Sequence, residues 1–481
     1  MSLRRLVLAL ALVASGCALG PNYKRPEIAT PDAWRNLPAA EAESLANTPW
    51  WEVFDDPQLQ ELIRIALVEN KDLKIAAERI EEARARYGFT KADLWPAFDL
   101  NGTGGRLRFN AGSLLHTPEG DSPTAGTSTT TSVFATGVSI TWELDLFGRL
   151  RRATEAQKDL FLGTEEARRA TVLALVADVA QTYFQLGEFD RKLEIAKRTV
   201  VSRRESAQYS KDRFEGGIVS ELDYRLAEAE LHRVESTLFD LERLVALKED
   251  ELSFLLGRNP QEITRGRAVE QQAVPASVPA GLPSDLLDRR PDIREAEQKL
   301  AAATANIGQA KALLFPRIAL TGSYGFASDD LSTLFDSESV SWNLIGNLLQ
   351  PIFAWGKNKR RLEVTESQQR QTLYTYEKQV LQAFREVNDA LVSYRTIGQQ
   401  RVSQGERVKA EQKVLELADL RYKGGVSAYL EVLDAQRSLF DAELDETGVI
   451  GDQLVALVQL YKALGGGWPA APEPPPEEQA H

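Results

Sequence analysis

The chain has 481 residues, with 57 lysines and arginines against 70 aspartates and glutamates, and a formal net charge of −13. This acidic balance excludes the basic footprint that nucleic-acid binding requires. One cysteine, one methionine and three histidines leave almost no soft-metal or thiol chemistry. The sequence also lacks a Walker loop and a helical pair of histidines, so we predict no catalytic, cofactor-binding or metal site.

The chain begins with a short secretory signal. Two arginines precede an apolar run at 6–13 that is too short to span a bilayer, and small residues then lead to Cys17. These small residues resemble the lipobox of bacterial lipoproteins, which implies removal of residues 1–16 and a covalent lipid on Cys17. The alternative is a buried or free thiol. Ala18 after the cysteine favours delivery to the outer membrane.

The segment that follows, 17–56, is rich in proline and tryptophan and is predicted to be an extended strap. Asp56-Pro57 is typical of a helix start, and apolar residues at helical spacing predict a helix from Pro57 to about Leu94. No apolar window of about 20 residues follows the signal, so we predict no membrane-spanning helix.

Four segments alternate apolar and polar residues with a period of two: 97–109, 133–145, 317–327 and 339–349. In the second, Phe134, Val138, Ile140, Trp142 and Leu144 share one face. Such alternation is typical of transmembrane barrel strands, and a soluble sandwich with one solvated face is the alternative. Four strands leave two open edges, so strands in a membrane require several chains to share one barrel.

Two very long helices are predicted at about 149–214 and 357–422, each about 100 Å long at 1.5 Å per residue. Returning helices are predicted at about 219–257 and 427–464. The pairs Gly216-Gly217 and Gly424-Gly425 lie where each chain reversal must occur, and glycine tolerates the left-handed conformation that ends a helix.

The two halves of the chain share one pattern. RFEGGIVSELD at 213–223 returns as RYKGGVSAYLE at 421–431, an offset of 208, and GFTKADLWP at 88–96 returns as GQAKALLFP at 308–316, an offset of 220. About a dozen extra residues are therefore expected in the first copy, within the run 110–132. In chain order, the predicted parts are the signal 1–16, the strap 17–56, the first repeat 57–260, the linker 261–289, the second repeat 290–467 and a disordered tail 468–481.

Several motifs resemble the outer membrane factors of bacterial efflux pumps, in the lipoprotein branch that serves RND-type pumps. They are GCALGPNYKRPEIATPDAW at 16–34, the helix motif at 50–85, DRRPDIREAE at 288–297 and LLFPRIALTGSYG at 313–325. The resemblance covers essentially the whole chain, with the motifs in the family's order.

The resemblance implies an α+β membrane protein. Three protomers, a homotrimer, would each give four strands to a twelve-stranded outer-membrane β-barrel, continued by a periplasmic α-helical barrel with a mixed equatorial belt. The chain would be a lipid-anchored, passive duct for drugs or other small toxic compounds, in contact with outer-membrane lipid, a periplasmic membrane-fusion adaptor and an inner-membrane RND pump. Alternatives are an outlet for type I protein secretion or metal efflux. An envelope scaffold and a cell-wall hydrolase are the competing classes.

The resemblance also assigns residues to a periplasmic gate. Leu430 matches an apolar ring, Arg421 and Asp434 match closing contacts, and Tyr422 matches a tip aromatic. From the repeat, Asp223 and Glu431 are equivalent and, with Asp434, predict an acidic, cation-favouring constriction.

Two further expectations concern the partners of the tip. Arg421 is expected to pair with acids on a neighbouring hairpin, although Arg225 and Arg421 are alternative partners for the acids themselves. The glycine turns are expected to be the adaptor-docking tips, because glycine permits close approach of backbones.

Overall fold

The structure is a computed structural model that describes residues 18–35, 44–49, 53–110, 128–275 and 278–466. The predicted signal, the lipid site at Cys17 and the predicted tail at 468–481 lie outside these residues. The chain divides into two compact units. Unit 1 comprises 1–26, 81–162 and 297–374, and unit 2 comprises 27–80, 163–296 and 375–481.

Helices and strands follow the predicted order. The helices are α1 Pro57–Glu69, α2 Lys71–Ala92, α3 Arg149–Glu215, α4 Glu221–Leu255, α5 Leu286–Arg289, α6 Pro291–Ala312, α7 Lys357–Lys423 and α8 Tyr429–Ala463. The strands are β1 Ala97–Asn110, β2 Ser128–Leu144, β3 Arg317–Ser328 and β4 Val340–Leu349. The α+β composition predicted for each protomer is confirmed.

The helix predicted from Pro57 to about Leu94 is two helices, which corrects the sequence-based expectation. Asp56 caps the first one, accepting hydrogen bonds from the backbone N–H groups of Gln58 and Leu59. Buried Asn70 then leaves the helical conformation at ψ 135°. Its side-chain oxygen caps α2 at the N–H groups of Asp72 and Leu73, while its amide donates to the carbonyl of Leu255 at 2.9 Å.

Replacing Asn70 with alanine should therefore destabilise the start of α2. The variant loses an N-cap, which typically stabilises a helix by about 1 kcal/mol, and leaves the partly buried carbonyl of Leu255 without its donor. We expect a fall of about 1–2 kcal/mol in the free energy of unfolding, measured by denaturant titration of the helical circular dichroism signal. Asn70→Asp, which keeps the cap and loses the donor, should recover part of that loss.

The strands form one antiparallel sheet in the order β1-β2-β3-β4. Apolar residues lie opposite one another on one face, as in Leu100 opposite Val138 and Tyr324 opposite Trp342. On the other face, the Asn343 amide donates to the Ser323 hydroxyl at 2.9 Å. The predicted two-faced alternation is confirmed. β2 begins at Ser128, earlier than predicted, because its first residues pair with the end of β1.

The internal duplication is present in the element lengths. Helices α3 and α7 both have 67 residues and begin 208 positions apart, and α4 and α8 both have 35. Helices α2 and α6 both have 22 residues and begin 220 positions apart. Since β1 and β3 keep the larger offset while β2 and β4 keep the smaller one, the extra residues lie between β1 and β2. Residues 111–127 of that connection are outside the described part.

Apolar residues at helical spacing form one stripe on α3 and an equivalent stripe on α7, and both lie in the core of unit 2: Val172, Val176, Val179, Tyr183 and Leu186, and Val380, Phe384, Val387, Leu391 and Tyr394. Four of the five residues of the first stripe are buried: Val176, Val179, Tyr183 and Leu186. They share a cluster with Leu59 and Ile63 of α1 and with Leu454 and Val458 of α8. All five residues of the second stripe, Val380, Phe384, Val387, Leu391 and Tyr394, are also buried. Burial of this apolar surface is the main stabilising contribution to the helical unit.

Residues 18–31 of the predicted strap form no helix or strand, Leu45–Asn47 form a short 3-10 helix, and side chains anchor the segment. Arg25 makes a bidentate contact with Glu297 through hydrogen bonds of 2.8 and 2.7 Å. Trp34 is 2% exposed, donates its ring N–H to the carbonyl of Gly281 at 2.8 Å and contacts the Phe384 ring edge-on.

Candidate functional site

The ends of the two helical hairpins have the same backbone geometry. In the first, the Ile218 N–H donates to the Arg213 carbonyl, and Gly217 has φ +71°. In the second, the Val426 N–H donates to the Arg421 carbonyl, and Gly425 has φ +74°. These are helix-ending bonds that require a left-handed residue, which glycine adopts without strain. A Cβ at Gly217 or Gly425 would meet open space, so conformation is the only constraint on either glycine.

The start of α8 presents two of the predicted gate residues to solvent. Leu430 is 55% exposed. Its equivalent in the first hairpin, Leu222, is 66% exposed. Glu431 lies 3.5 Å from Arg421, and both side chains are more than half exposed. The pair joins the two helices of one hairpin, which is the alternative in which Arg421 is a partner of the predicted acids. A contact of Arg421 with a neighbouring hairpin stays a prediction.

Tyr422 links the two turns. Its hydroxyl accepts a hydrogen bond from Arg213 at 3.2 Å, and its ring lies 5.3 Å from that of Tyr429. Both rings pack on a small cluster of buried residues that includes Val432 and Ala418. The aromatic residue expected at the tip therefore holds the ends of α3 and α7 together.

The other two predicted acids have different surroundings. Asp223 accepts a hydrogen bond from the Ser220 hydroxyl at 3.0 Å and belongs to the cap of α4. Asp434 is exposed on α8. Arg225 binds Glu221 and Glu228, so the alternative partner considered for Asp223 is engaged with other carboxylates. The structure thus places Glu431 and Asp434 on one helix and Asp223 on another.

A buried ionic cluster lies further from the turns, and the sequence did not indicate it. The Glu230 carboxylate is fully buried and accepts hydrogen bonds from Arg233 at 2.9 Å and from Arg437 at 2.6 Å. Arg203, also buried, lies 3.8 Å from it and donates to the Gln436 carbonyl at 3.1 Å. The cluster therefore ties α3, α4 and α8 together.

The charge state of this cluster follows from its contacts. Burial raises the pKa of Glu230, but hydrogen bonds from Arg233 and Arg437 outweigh that effect, so its pKa lies below the ordinary value. Burial lowers the pKa of Arg203, opposed by the attraction of Glu230. Glu230 is thus a carboxylate held charged by its arginines. In the second hairpin the corresponding position is Ser438, so only a comparison of side chains in space reveals the cluster.

Within the described ranges, no group of three or more histidine, cysteine, aspartate or glutamate side chains is arranged to hold a metal ion. None of the helices in the described part is both long enough and apolar enough to cross a membrane.

Nearly the whole chain is similar to known proteins. The profile of the family described as outer membrane efflux protein matches residues 62–258 and 282–466. The solvent efflux pump outer membrane protein SrpC of Pseudomonas putida is 39% identical over 475 residues, or 97% of this chain and 99% of that protein. The cation efflux system protein CusC of Escherichia coli O6:H1 is 37% identical over 463 residues, covering 95% and 97%.

A solved structure has the same fold. The open state of the Neisseria gonorrhoeae MtrE outer membrane channel superposes with a TM-score of 0.83 at 32% identity, covering 94% of this chain and 98% of that one. The sheet and the two long helical hairpins are therefore shared with a known channel.

Proposed function

The chain belongs to the outer membrane efflux protein family, and from this premise we propose that it is the homotrimeric outlet of a tripartite efflux system. The duct is passive and carries drugs or other small toxic compounds to the exterior. Its partners are a periplasmic membrane-fusion adaptor and an inner-membrane RND pump. The protein is located in the outer membrane and extends far into the periplasm.

One observation carries this proposal: a four-stranded sheet with one apolar face stands on the same chain as two 67-residue helices. β1 and β4 lie at the edges of the sheet. Lipid cannot satisfy the backbone groups of an open edge, so an apolar sheet with two edges favours closure with other copies into one barrel.

The test is complementation of a strain that lacks its own outlet proteins. The full-length chain, expressed with its genomic adaptor and pump, should lower ethidium accumulation and raise resistance to antibiotics or solvents. Resistance to metal cations alone would favour metal efflux, which the similarity to the cation efflux system protein CusC also allows. Export of a protein substrate would favour type I secretion. Failure of all three, with the protein present in the outer membrane, would contradict the proposal.

The lipid proposed on Cys17 assists placement, while the barrel supplies most of the membrane affinity, because its strands are embedded in the bilayer along their length. We expect Cys17→Ala with an ordinary cleavable signal to yield outer-membrane trimers in close to normal amount. Fractionation and native gels measure this, and complete loss of the trimer would contradict it.

The exposed acids at the second hairpin are proposed to favour cations at the constriction. Threefold symmetry concentrates Glu431 and Asp434 around one axis, and rings of carboxylates select cations. Glu431→Gln with Asp434→Asn should therefore reduce the cation-to-anion permeability ratio in planar bilayers by roughly a factor of two or more. Glu228→Gln with Asp240→Asn, on α4, is the charge-matched control. Unchanged selectivity in the first variant would place its acids away from the pore.

A further inference from the structure

The two repeats correspond residue by residue, so that a contact in the first repeat identifies the equivalent contact in the second. Ala97 of β1 lies opposite Thr141 of β2. Moving the first by 220 positions and the second by 208 gives Arg317 and Leu349, which are the partners observed in β3 and β4. The offsets read from the sequence therefore hold residue by residue in the sheet.

The same equivalence holds where the strands meet the helices. The ring N–H of Trp142 donates to the carbonyl of Leu94 at 3.0 Å. At the corresponding place in the second repeat, the side-chain amide of Gln350 donates to the carbonyl of Leu314 at 3.3 Å. In each repeat, a side chain at or next to the end of the second strand thus binds the chain just after the preceding helix. The acceptors, the carbonyls of Leu94 and Leu314, are equivalent positions.

Within one chain, the first repeat also contacts the second. The Phe147 ring, just before α3, stacks on Phe315, just before β3, with centroids 5.0 Å apart. A Cβ on the neighbouring Gly148 would lie 2.6 Å from the Cα of Ala18. Both aromatic rings are partly buried by this contact. The junction of β2 with α3 is therefore covered inside the protomer.

The equivalent residues of the other repeat face solvent. Trp355 corresponds to Phe147 and is 89% exposed, and Trp95 corresponds to Phe315 and is 71% exposed. Around Gly356, the equivalent of Gly148, a Cβ would meet nothing within 4 Å. Trp355 also has φ +49°, a conformation that is strained for a bulky residue and persists where surrounding contacts offset it.

We propose that neighbouring copies of this chain contact each other in the way that the first and second repeats do within one chain, with the second repeat of one copy against the first repeat of the next. Trp355 of one copy stacks on the neighbour's Trp95, and β4 pairs with the neighbour's β1. The register follows from β2 and β3, where Ser139 lies opposite Ser323. Asn347 is the equivalent of Ser139 at the offset of 208, and Thr103 is the equivalent of Ser323 at the offset of 220. Asn347 of one copy therefore lies opposite Thr103 of the neighbouring copy. The inference rests on the trimeric channel proposed above and specifies how its copies are joined.

Disulfide trapping tests the register. The pair Asn347→Cys with Thr103→Cys, made in the full chain, should cross-link copies into a ladder of dimers and trimers under mild oxidation in membranes. Asn347→Cys with Leu107→Cys is the matched control, because Leu107 faces the same side of the sheet but lies four positions along β1. At about 3.4 Å per residue that displacement exceeds the Cα separation that a disulfide tolerates. Each single-cysteine variant should give no ladder.

Aromatic truncation tests the stacked pair. Trp355→Ala and Trp95→Ala should each lower the trimer-to-monomer ratio in detergent by roughly tenfold or more, since every interface of the trimer loses an aromatic pair and its buried area. The double variant should lower it little further, because both changes remove the same contact. Phe239→Ala, which removes an exposed ring from α4, is the control and should leave the ratio unchanged.

The outcomes separate this inference from the proposed function. Cross-linking in the control register, or additive losses in the tryptophan double variant, would overturn the contact while leaving a trimeric channel intact. A double-cysteine variant, Asn347→Cys with Thr103→Cys, that complements efflux but gives no ladder would also overturn it. A wild-type chain that forms no oligomer in the membrane would instead overturn the proposed function.

Discussion

Replacing Leu430 with alanine is expected to open the resting channel without breaking the trimer. Leu430 stands exposed at the start of α8, one position before the Arg421–Glu431 pair. Three copies that meet on the axis would exclude water by apolar contact, and such a constriction gates by dewetting. We expect the single-channel conductance without adaptor and pump to rise by roughly a factor of two or more, and large antibiotics to enter cells that carry the variant.

The repeat provides a matched control for this experiment. Leu222 occupies the same position in the first hairpin and, like Leu430, is more than half exposed to solvent in the protomer. If the gate is at the second turn, as the family resemblance implies, Leu222→Ala should leave the conductance unchanged. An unstable Leu430→Ala trimer with unaltered conductance would show that this leucine packs between helices instead of closing the pore.

Replacing Glu230 with glutamine is expected to produce the largest loss of stability. The substitution leaves buried Arg203 near a neutral group and removes the charge that Arg233 and Arg437 share. Breaking a buried ion pair by removing one partner destabilises a protein by about 3–5 kcal/mol. We expect a change of about 3 kcal/mol in the free energy of unfolding at pH 7, since glutamine retains one acceptor.

A more exposed acid on the same helix, Glu228, provides the control for the buried Glu230. Glu228 binds Arg225 at the surface, and Glu228→Gln should change stability far less than Glu230→Gln, because exposed ion pairs contribute little. Denaturant titration followed by circular dichroism distinguishes the two variants. If both lose the same small amount, the cluster around Glu230 does not hold the hairpins together.

The contribution of Glu230 to folding stability depends on pH with a definite sign. Because the pKa of Glu230 is lowered in the folded protein, its contribution to stability is present above the ordinary value of 4.5 and is lost as the pH falls through the folded pKa. The wild-type protein should therefore lose stability relative to the Glu230→Gln variant as the pH is lowered below about 4.5. A constant difference between the two proteins from pH 7 to pH 3 would contradict the assigned charge state.

Local patterns in the sequence determined most of the architecture. The long helices end within a residue or two of their predicted bounds, because an apolar stripe of helical period and a glycine pair are both read over a few neighbouring residues. The strands were likewise identified by alternation, and the two offsets located the duplication. These features depend on residues that are close together in the chain.

The tertiary structure decided which side chains meet. The break at Asn70 was missed because the apolar pattern continues on both sides of it, although asparagine is a favoured cap; the carbonyl of Leu255, far along the chain, completes its contacts. Arg421 pairs with Glu431 inside one hairpin, and Glu230 collects arginines from three helices. Periodicity predicts which face of a helix is buried, but not which distant charges share that face, because the pairing depends on how whole helices are placed against each other.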